Sequence, residues 1–530
     1  MIAMRPALLA ATFFHAASFA FTAGAQTAET PQRGGTAITV LSADPVGLNP
    51  AITTNVPDRQ LGCTLYHGLV DVASDLTNIV PQLAKSWTIS PDGKTYTFEL
   101  ADAYWHDGKP FTSEDVKVSM VEVNAKYSAL FAPASQSIDS IETPAPNKVI
   151  FKLNQPFGPF LVSLSCQQGG AILPAHLFKG VDAKNNPATM SPVGTGAFKF
   201  AEWKHGDFVR LVRNDKYHQP GKPYLDGVIA KVIPLPSGRI QALTAGEVDH
   251  VAYYPAEQIE TAKKNPKLKT VSTDMPPSYT VLFFNVDKKP FNDKRVRQAL
   301  FMASNRDYIF KNAMFELGRV GTQPFPTLIP WLTDPDIDYN KMYPYDLAKA
   351  NALLDEAGVK RGADGKRLSA KLTLYSNLYP ELTPASVALK AMWAQVGIDL
   401  TIETLEYATA IKRVYQDRDF DMMMNIQSSY ADPALGLARG YVSASIGKPS
   451  GNPSGWSTKE VDELFRQGSL ATTVADRAKI YRQIQKILAD ELSMLNFRDH
   501  KEVDAASVRL KGLWGRIENN GSWADAWLQQ

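Results

Sequence analysis

The stretch 79–116 constrains the fold more than any other part of the chain. Proline, aspartate, glycine and lysine follow one another at 91–94. This order is typical of a tight turn, because proline presets φ and glycine accepts positive φ. After the turn, Tyr96, Phe98 and Leu100 alternate with polar residues. A period of two indicates a half-buried strand, and a similar alternation before the turn predicts a β-hairpin.

A helix start follows this hairpin. Asp107 and Gly108 form a second turn, and Thr112 or Ser113 then precedes two acidic residues and an apolar stripe. A hydroxyl cap with acids in the first turn is typical of a helix N-terminus. The neighbouring His106 has no Cys, Asp or Glu at metal-ligand spacing, so we expect a structural role for it.

The length of the chain predicts more than one lobe. Its 530 residues are too many for a single hydrophobic core, so two or three lobes are expected. The 56 basic and 54 acidic residues nearly balance and give a formal net charge of +2. This balance provides no electrostatic footprint for nucleic acid, which we therefore do not expect as a partner.

Residues 1–25 are typical of a secretory signal peptide. Arg5 is the only charged residue in this segment, an apolar and small-residue run covers 7–23, and Ala23-Gly24-Ala25 fits a small-x-small cleavage site. We therefore expect cleavage before Gln26 and export to the periplasm, rather than a membrane anchor.

The chain contains two cysteines, Cys63 and Cys166. In an exported protein a pair of cysteines suggests one disulfide, so these two are a disulfide candidate. The cysteines and the eight histidines show no metal-ligand spacing. We expect no resident metal and no cofactor.

Patterns in the second half of the chain indicate an α/β fold. Lys371–Leu374 is expected to be a strand, a helix then runs to Gly397, and Asp399–Glu403 is again a strand. This strand–helix–strand order predicts a right-handed crossover and a partly parallel sheet. Asn292 and Asp346 are each expected to cap a helix.

Two further segments bear on where a ligand could bind. Ser191–Gly196 is a glycine-containing turn that leads into a strand. It lacks the third glycine and the following helix of a phosphate cradle, so no dinucleotide or phosphate site is expected. Tyr279–Phe284 is strongly apolar, as expected of a strand near a lobe junction.

With these segments in place, the chain resembles the family five extracellular solute-binding proteins, the peptide-, nickel- and opine-type components of ABC importers. The resemblance covers essentially the whole chain after the signal segment. The segments that carry it are Pro81–Trp87, Asp92–Leu100, Trp105–Val116, Pro192–Phe198, Asn285–Arg306, Tyr345–Gly358 and Asp432-Pro433.

The resemblance implies an α/β fold, a periplasmic-binding-protein type II-like Venus flytrap with an extra inserted lobe. The ligand would lie between lobes I and III, and closure would create the surface that docks on an inner-membrane ABC permease. A monomer is expected. The implied boundaries are 1–25 signal peptide, 26–65 lobe I part a, 66–185 lobe II, 186–283 lobe I part b, 284–495 lobe III and 496–530 lobe I part c.

The resemblance does not fix the ligand. In peptide binders that are similar to this chain, an Asp about three residues before an Asp-Pro pair holds the α-ammonium of the peptide, because a buried ammonium needs a charged partner. Here Ser429 occupies that position, next to the further candidate Ser428. We therefore do not expect an ordinary peptide held by its free N-terminus. Asp432 either substitutes as the ammonium partner or caps the following helix.

Other candidate ligand-binding residues follow from residue type and context. Arg413 either holds a ligand carboxylate as a bidentate fork or forms a surface ion pair. Aromatic residues in loop-like contexts either stack on the ligand or pack within the protein. The aromatic candidates and two candidate polar contacts are Tyr279, Tyr430, Tyr441, Trp456, Asn55 and Asn452.

The sequence thus predicts a non-catalytic receptor that captures a small peptide, a modified amino acid or an opine-like solute and delivers it to a permease. A sugar-like, aromatic or metal-chelate ligand is the alternative. A secreted hydrolase is the alternative of another class. Against it, the sequence holds no Gly-x-Ser-x-Gly elbow, no His-Glu-x-x-His motif and no P-loop.

Overall fold

A computed structural model describes residues 30–53, 55–73, 75–76, 78–376, 379, 381–514 and 523–530. The predicted signal peptide, residues 1–25, lies outside these ranges. Gln32–Gln530 packs as one compact unit, so the lobe boundaries given above stay predictions. In the ranges described, no helix is both long and apolar enough to cross a membrane.

Strands and helices alternate along much of the chain. The strands are β1 Thr36–Leu41, β2 Val70–Val72, β3 Ile79–Pro81, β4 Ala84–Ile89, β5 Thr95–Leu100, β6 Ile138–Ala145, β7 Lys148–Leu153, β8 Phe198–Lys204, β9 Phe208–Arg213, β10 Gly227–Val232, β11 His250–Val251, β12 Leu268–Phe284, β13 Arg319–Val320, β14 Leu368–Tyr375, β15 Ile398–Leu405, β16 Met422–Ser428, β17 Met494–Ser507, β18 Leu510–Lys511 and β19 Trp527–Leu528. The α-helices are α1 Val56–Leu65, α2 Ser113–Val118, α3 Ala125–Tyr127, α4 Ala132–Ser137, α5 Phe160–Ser163, α6 Ala175–Phe178, α7 Pro236–Ala245, α8 Ile259–Lys263, α9 Lys294–Met302, α10 Arg306–Ala313, α11 Tyr339–Met342, α12 Leu347–Glu356, α13 Leu382–Ala394, α14 Tyr407–Ala410, α15 Pro433–Gly436, α16 Lys459–Leu470 and α17 Val474–Glu491.

The predicted hairpin and the helix start after it are confirmed. β4 and β5 pair antiparallel with Trp87 opposite Phe98, and Gly93 in the turn has a φ of 68°. Thr112 then precedes α2, where Asp115 completes a capping box. β4 and β5 belong to a four-stranded sheet of order β4-β5-β7-β6, which we call the inserted sheet.

A mixed sheet of 11 strands forms the body of the protein. Its order is β15-β14-β16-β12-β17-β11-β1-β10-β9-β8, and β13 pairs with β17. β14 and β15 are parallel, with α13 between them in the chain, which confirms the predicted partly parallel sheet. We call β1 and β8–β11 the first half of this sheet and β14–β16 the second half.

β12 and β17 are the strands that connect the two halves. One end of β17 pairs with β11 of the first half, and β12 pairs with β16 of the second half. The register between β12 and β17 breaks between Thr273 and Ser278. The predicted strand Tyr279–Phe284 is therefore only the last part of a 17-residue strand.

The hydrophobic core follows the same division. Buried residues of the first half and of the inserted sheet form one continuous cluster, in which Leu211 and Phe98 take part. Two other clusters cover the second half, one of them around Trp393. The inserted region also reaches the second half, because the backbone N–H of Gly158 donates to the carbonyl of Ser469 at 2.7 Å.

One of the two predicted helix caps is in a different place. Asp346 caps α12 as predicted, because its carboxylate accepts from the N–H of Lys349 at 2.9 Å. The prediction for Asn292 is wrong. Asp293 caps α9 instead and accepts from the N–H of Arg295 at 2.9 Å. A carboxylate at this position also interacts favourably with the helix dipole.

His106 links the inserted region to the glycine turn that precedes β8. The N–H of Gly194 donates to its Nδ1 at 3.1 Å, and its Nε2 lies 3.0 Å from the carbonyl of Gly196. The ring is therefore neutral with the proton on Nε2, and both nitrogens have partners. Burial lowers the pKa of His106 from 6.5 to about 4. The imidazole thus has the structural role that the sequence predicts.

A disulfide joins Cys63 of α1 to Cys166, 103 residues later. We expect the Cys63→Ala/Cys166→Ala variant to lose about 2–5 kcal/mol of unfolding free energy, because the bridge restricts a long loop in the unfolded chain. Urea unfolding under oxidising conditions measures the loss. The difference between variant and wild type should disappear in dithiothreitol. Equal stability under oxidising conditions would contradict the expectation.

His106 predicts a pH dependence of stability. Its folded pKa lies below the usual value, so the unfolded chain takes up a proton that the folded protein excludes. Stability from this residue is therefore present above pH 6.5 and is lost as the pH falls towards about 4. We expect His106→Gln, which keeps a donor and an acceptor, to lack this loss. Urea unfolding of wild type and variant at several pH values between 7.5 and 4 measures the contribution of His106 as the difference in unfolding free energy between the two proteins. If this difference does not change with pH, the expectation is contradicted.

Candidate functional site

Arg59 is a buried cation on α1, one turn after the predicted residue Asn55. Asn55 is exposed and begins the helix without a side-chain cap. Arg59 is only 8% exposed. Its Nη2 donates to the backbone carbonyl of Gln167 and, at 3.1 Å, to Gln167 Oε1. Within the ranges described, no carboxylate forms an ion pair with this guanidinium.

Burial lowers the pKa of Arg59, and the nearby hydroxyls of Tyr430 and Tyr253 oppose that change. An arginine nevertheless stays protonated at neutral pH. The protein therefore holds a positive charge away from water, which is unfavourable until an anion or a dipole compensates it.

The disulfide holds Gln167, which accepts hydrogen bonds from Arg59, beside α1. Cys63 lies four residues after Arg59, so the two side chains project from the same side of α1. Cys166 directly precedes Gln167, whose two oxygens accept from the guanidinium. The bridge thus keeps these acceptors beside the helix that carries the charge.

Ser428 and Ser429 attach the end of β16 to the register break in β12. The N–H and the hydroxyl of Ser429 both donate to the carbonyl of Pro277, at 2.8 and 3.0 Å. Ser429 is fully buried, and the hydroxyl of Ser428 accepts from the N–H of Tyr430 at 3.1 Å. These contacts satisfy a carbonyl that the irregular strand leaves unpaired. They also occupy the hydroxyl at the position where similar peptide binders carry an Asp.

Tyr430 follows directly after Ser429, and its hydroxyl acts on the pKa of Arg59. Its φ is 51°, a left-handed conformation that costs a non-glycine residue about 1–3 kcal/mol. The guanidinium of Arg439 lies 5.6 Å from the centre of the ring. In the described part of the chain Arg439, like Arg59, has no carboxylate partner.

Asp432 is the last residue of this loop, and both of its carboxylate oxygens are bound by groups of the protein. Its two oxygens accept from Nη1 and Nη2 of Arg477, both at 2.6 Å, and one of them accepts from the N–H of Ala434 at 2.9 Å. The residue caps α15, which is one of its two predicted roles. Arg477 also lies over the ring of Trp331, with the guanidinium 5.1 Å from the ring centre. The Asp432–Arg477 ion pair is buried and anchors the loop that carries Tyr430.

Tyr253 belongs to the first half and also acts on the pKa of Arg59. It follows β11 and has a φ of 52°, so it too is left-handed. Its N–H donates to Asp504 of β17 at 3.3 Å. The other oxygen of Asp504 accepts from Trp514 Nε1 at 2.8 Å and lies 3.2 Å from His250 Nε2. Asp504 thereby fixes the strained turn that carries Tyr253.

Charged residues on β17 complete the surroundings. Arg498 donates to Thr280 Oγ1 at 3.2 Å and to His500, and His500 Nε2 lies 3.0 Å from Glu502. Burial lowers the pKa of Arg498 to about 10, and Glu381 and Glu502 oppose that change. Burial raises the pKa of Glu381. Both acids therefore lie in the field of Arg498.

Electrostatic interactions between their charges and hydroxyls couple these residues across the two halves. Tyr253 interacts with Arg59, Glu502 and Tyr379, and Tyr379 interacts with Glu502 and Glu381. We define the inter-half site as Arg59, Tyr253, Tyr379, Tyr430, Arg439 and Glu502.

Of the candidates predicted from the sequence, Tyr430 belongs to the inter-half site. Ser428, Ser429 and Asp432 hold its loop, and Asn55 begins the helix of Arg59. The others have partners within the protein, and Tyr279 also lies in the field of Arg439. Tyr279 and Tyr441 are buried in the core, Arg413 pairs with Glu403 at 3.3 Å, Asn452 donates to the carbonyl of Trp456 at 2.8 Å, and Trp456 packs on the same core.

The sequence did not predict five residues of the inter-half site, which are Arg59, Tyr253, Tyr379, Arg439 and Glu502. The left-handed backbone of Tyr253 depends on Asp504, some 250 residues away, and has no local signal. A weak signal exists for Arg59. The positions three and four residues before and after it on α1 hold no acid, so it lacks an ion-pair partner on its own helix.

One further arrangement among the residues described resembles a catalytic centre but is inaccessible. Thr39, His250 and Asp504 form a nucleophile–base–acid series, with His250 Nδ1 2.9 Å from Thr39 Oγ1. All three are at most 4% exposed, so no substrate reaches the hydroxyl, and the series serves to tie β1, β11 and β17 together. The residues described contain no cluster of three or more His, Cys, Asp or Glu side chains that could hold a metal.

Comparisons with known proteins agree with this architecture. Residues 78–447 match the model described as bacterial extracellular solute-binding proteins, family 5 middle. A Brucella ovis protein, provisionally named an ABC transporter peptide-binding protein, is 34% identical over 362 residues. The match spans 67% of this chain and 65% of the length of that relative.

Two solved structures are similar over 94% of this chain and 99% of their own. One is the periplasmic binding protein DppA of Helicobacter pylori in complex with the peptide STSA, with a TM-score of 0.78 and 27% identity. The other is AgaA of A. tumefaciens R10 in complex with agropinic acid, with a TM-score of 0.77 and 26% identity. These likenesses confirm the predicted fold class, an α/β periplasmic-binding-protein fold of type II.

The buried Asp432–Arg477 pair predicts a large loss of stability on substitution. We expect Asp432→Asn to lower the free energy of unfolding by about 3–5 kcal/mol, because it leaves a guanidinium buried without its counter-ion. The exposed pair of Glu463 and Arg466 offers a matched control. Glu463→Gln should leave stability unchanged. Urea unfolding measures both variants, and equal stability of the two would contradict the role given to the buried pair.

Proposed function

Because the chain belongs to family 5 of the bacterial extracellular solute-binding proteins, we propose that it is the periplasmic receptor of an ABC importer. It captures a small peptide, a modified amino acid or an opine-like solute and delivers it to a permease in the inner membrane. It is exported by the segment 1–25, works as a monomer and catalyses no turnover. The peptide and the agropinic acid bound by two similar proteins support this range of ligands.

The observation that supports the proposal is the electrostatic coupling of Arg59 and Tyr430. Arg59 lies on α1, Tyr430 follows β16 of the second half, and the hydroxyl of Tyr430 opposes the lowering of the pKa of Arg59. A ligand between them contacts both halves at once. Binding energy is then available to favour the closed arrangement of the halves over an open one.

The connecting strands provide the hinge in this proposal. β12 and β17 are continuous through both halves, and their pairing is interrupted between Thr273 and Ser278. A break in a ladder is a place where φ and ψ can change without loss of the hydrogen bonds on either side. The lobes I, II and III predicted from the sequence are the bodies that would move about this point.

The contacts of Ser429 support a ligand that is not held by a free N-terminus. A buried ammonium needs a carboxylate or several acceptors. Ser429 provides neither, because its hydroxyl donates to Pro277, and the oxygens of Asp432 are bound by Arg477. An N-blocked peptide, a modified amino acid or an opine-like solute fits these contacts better than an ordinary peptide.

A ligand screen by thermal unfolding tests the proposal. We expect at least one class among peptides, N-blocked peptides, opines, sugars and aromatic acids to raise the melting temperature, because a ligand at about 100 times its Kd adds about 2.7 kcal/mol to stability. Tyr430→Ala should lose the shift, while Tyr308→Ala, at a tyrosine that is 51% exposed, should keep it. A well-folded protein that responds to no class would contradict the proposed function.

A further inference from the structure

Two glycines of the inserted region lie against the loop between α16 and α17. The N–H of Gly158 donates to the carbonyl of Ser469 at 2.7 Å. A Cβ at Gly158 would lie 2.4 Å from the carbonyl oxygen of Ala471, and a Cβ at Gly93 would lie 2.6 Å from Cγ2 of Thr472. The φ of Gly158 is not left-handed, so the close contact alone excludes a side chain there.

The two surfaces in this contact pack on different cores. Phe157 and Phe160, on either side of Gly158 and the following residue, belong to the cluster that the first half shares with the inserted sheet. Phe465 of α16 and Ile484 of α17 belong to a cluster of the second half. The contact therefore joins the two bodies that the proposed hinge in β12 and β17 allows to move.

The hydrogen bond in this contact can open without leaving a buried group unpaired. α16 ends at Leu470, and the last four carbonyls of a helix have no partner within it. The carbonyl of Ser469 is one of these, and the N–H of Gly158 reaches it from the inserted region. Both residues are only half-buried even in the contact, so water can replace each partner when the surfaces separate.

Arg477 connects the contact to the loop of Tyr430. A Cβ at Gly158 would lie 3.0 Å from Nε and 3.1 Å from Cδ of this arginine, so the two residues are direct neighbours. Nε donates to the carbonyl of Gly468 at 3.0 Å, and the two Nη atoms hold Asp432. Gly158 therefore covers the arginine that anchors the loop, and it helps to keep water from the ion pair.

We infer that Gly93, Gly158 and the loop 469–472 form a latch, a contact that the protein makes when its halves close and breaks when they open. This inference rests on the proposed receptor function and adds a regulatory element to it. The latch stabilises the closed form through contacts of the protein with itself. Its strength thus sets how much of the binding energy of a ligand is needed for closure.

A permanent packing contact makes a different prediction for Gly158→Ala. If the two surfaces always touch, the added methyl group lowers the free energy of unfolding, because the folded protein has no form that accommodates it. If the contact is a latch, the open form accommodates the methyl group. The ligand-free variant then unfolds like the wild type, and only its closure becomes less favourable.

A reversible cross-link tests whether the surfaces separate. A Cβ at Gly93 would lie 3.7 Å from Cβ of Thr472, within the range of about 3.5–4.5 Å that a disulfide requires. The variant Gly93→Cys/Thr472→Cys is freed of bound solute by unfolding and refolding, and peptide mapping confirms that Cys63 and Cys166 are still joined. Small-angle X-ray scattering then compares its oxidised and reduced forms. We expect the oxidised form to have the smaller radius of gyration.

The redox equilibrium of the same cysteine pair measures the strength of the latch. We expect Gly158→Ala to lower the equilibrium constant for oxidation by glutathione about 10-fold or more, because the overpacking is confined to the latched form. Without the added cysteines, Gly158→Ala should leave urea unfolding unchanged. Gly47→Ala is the control and should change neither quantity, since a Cβ there would lie 3.4 Å from Cγ2 of Thr189, an ordinary contact.

The outcomes separate the latch from the proposed function. Equal radii of the oxidised and reduced forms overturn the inference, and so does a lower free energy of unfolding in Gly158→Ala. A cysteine pair that does not oxidise in the folded protein overturns it as well. Each of these results leaves the receptor function in place, because that function is tested by the ligand screen. A screen in which no class binds overturns the receptor function, whatever the radii show.

Discussion

The pairing of β12 with β17 is the constraint on which the rest of the structure depends. These two strands hold the two halves in one sheet, and the groups that shape the site are fastened to them. The carbonyl of Pro277 in β12 holds Ser429 and so the loop of Tyr430. Asp504 in β17 holds the turn of Tyr253. Any change in the angle between the halves therefore moves the two tyrosines relative to each other.

The positive charge at the centre of the site is supported at the expense of stability. A buried guanidinium without a carboxylate and two left-handed tyrosines are each unfavourable, and the fold maintains them through the disulfide, through Asp504 and through the buried Asp432–Arg477 pair. Such an arrangement is typical of a preorganised binding site, because groups that are already placed lose little entropy when the ligand arrives.

Local patterns in the sequence predict local structure well, and the site much less well. The turn at 91–94 and the alternation after it predict β4 and β5, and the strand–helix–strand order predicts the parallel pair β14 and β15, because these elements form between near neighbours in sequence. Tyr279 and Tyr441 look like cleft aromatics in the sequence but are buried in the core. Tyr279 lies within β12, whose length depends on pairing with the distant β17, and nothing local in the sequence shows that. The lack of an acid beside Arg59 depends on contacts between distant segments, so only the folded chain reveals it.

The central claim is that this protein is a receptor that holds a small solute between the two halves of the sheet. Native mass spectrometry of protein isolated from the periplasm without unfolding tests it most directly. We predict a species whose mass exceeds that of the chain by one small solute, which leaves on denaturation. A chain that carries no added mass would contradict this claim.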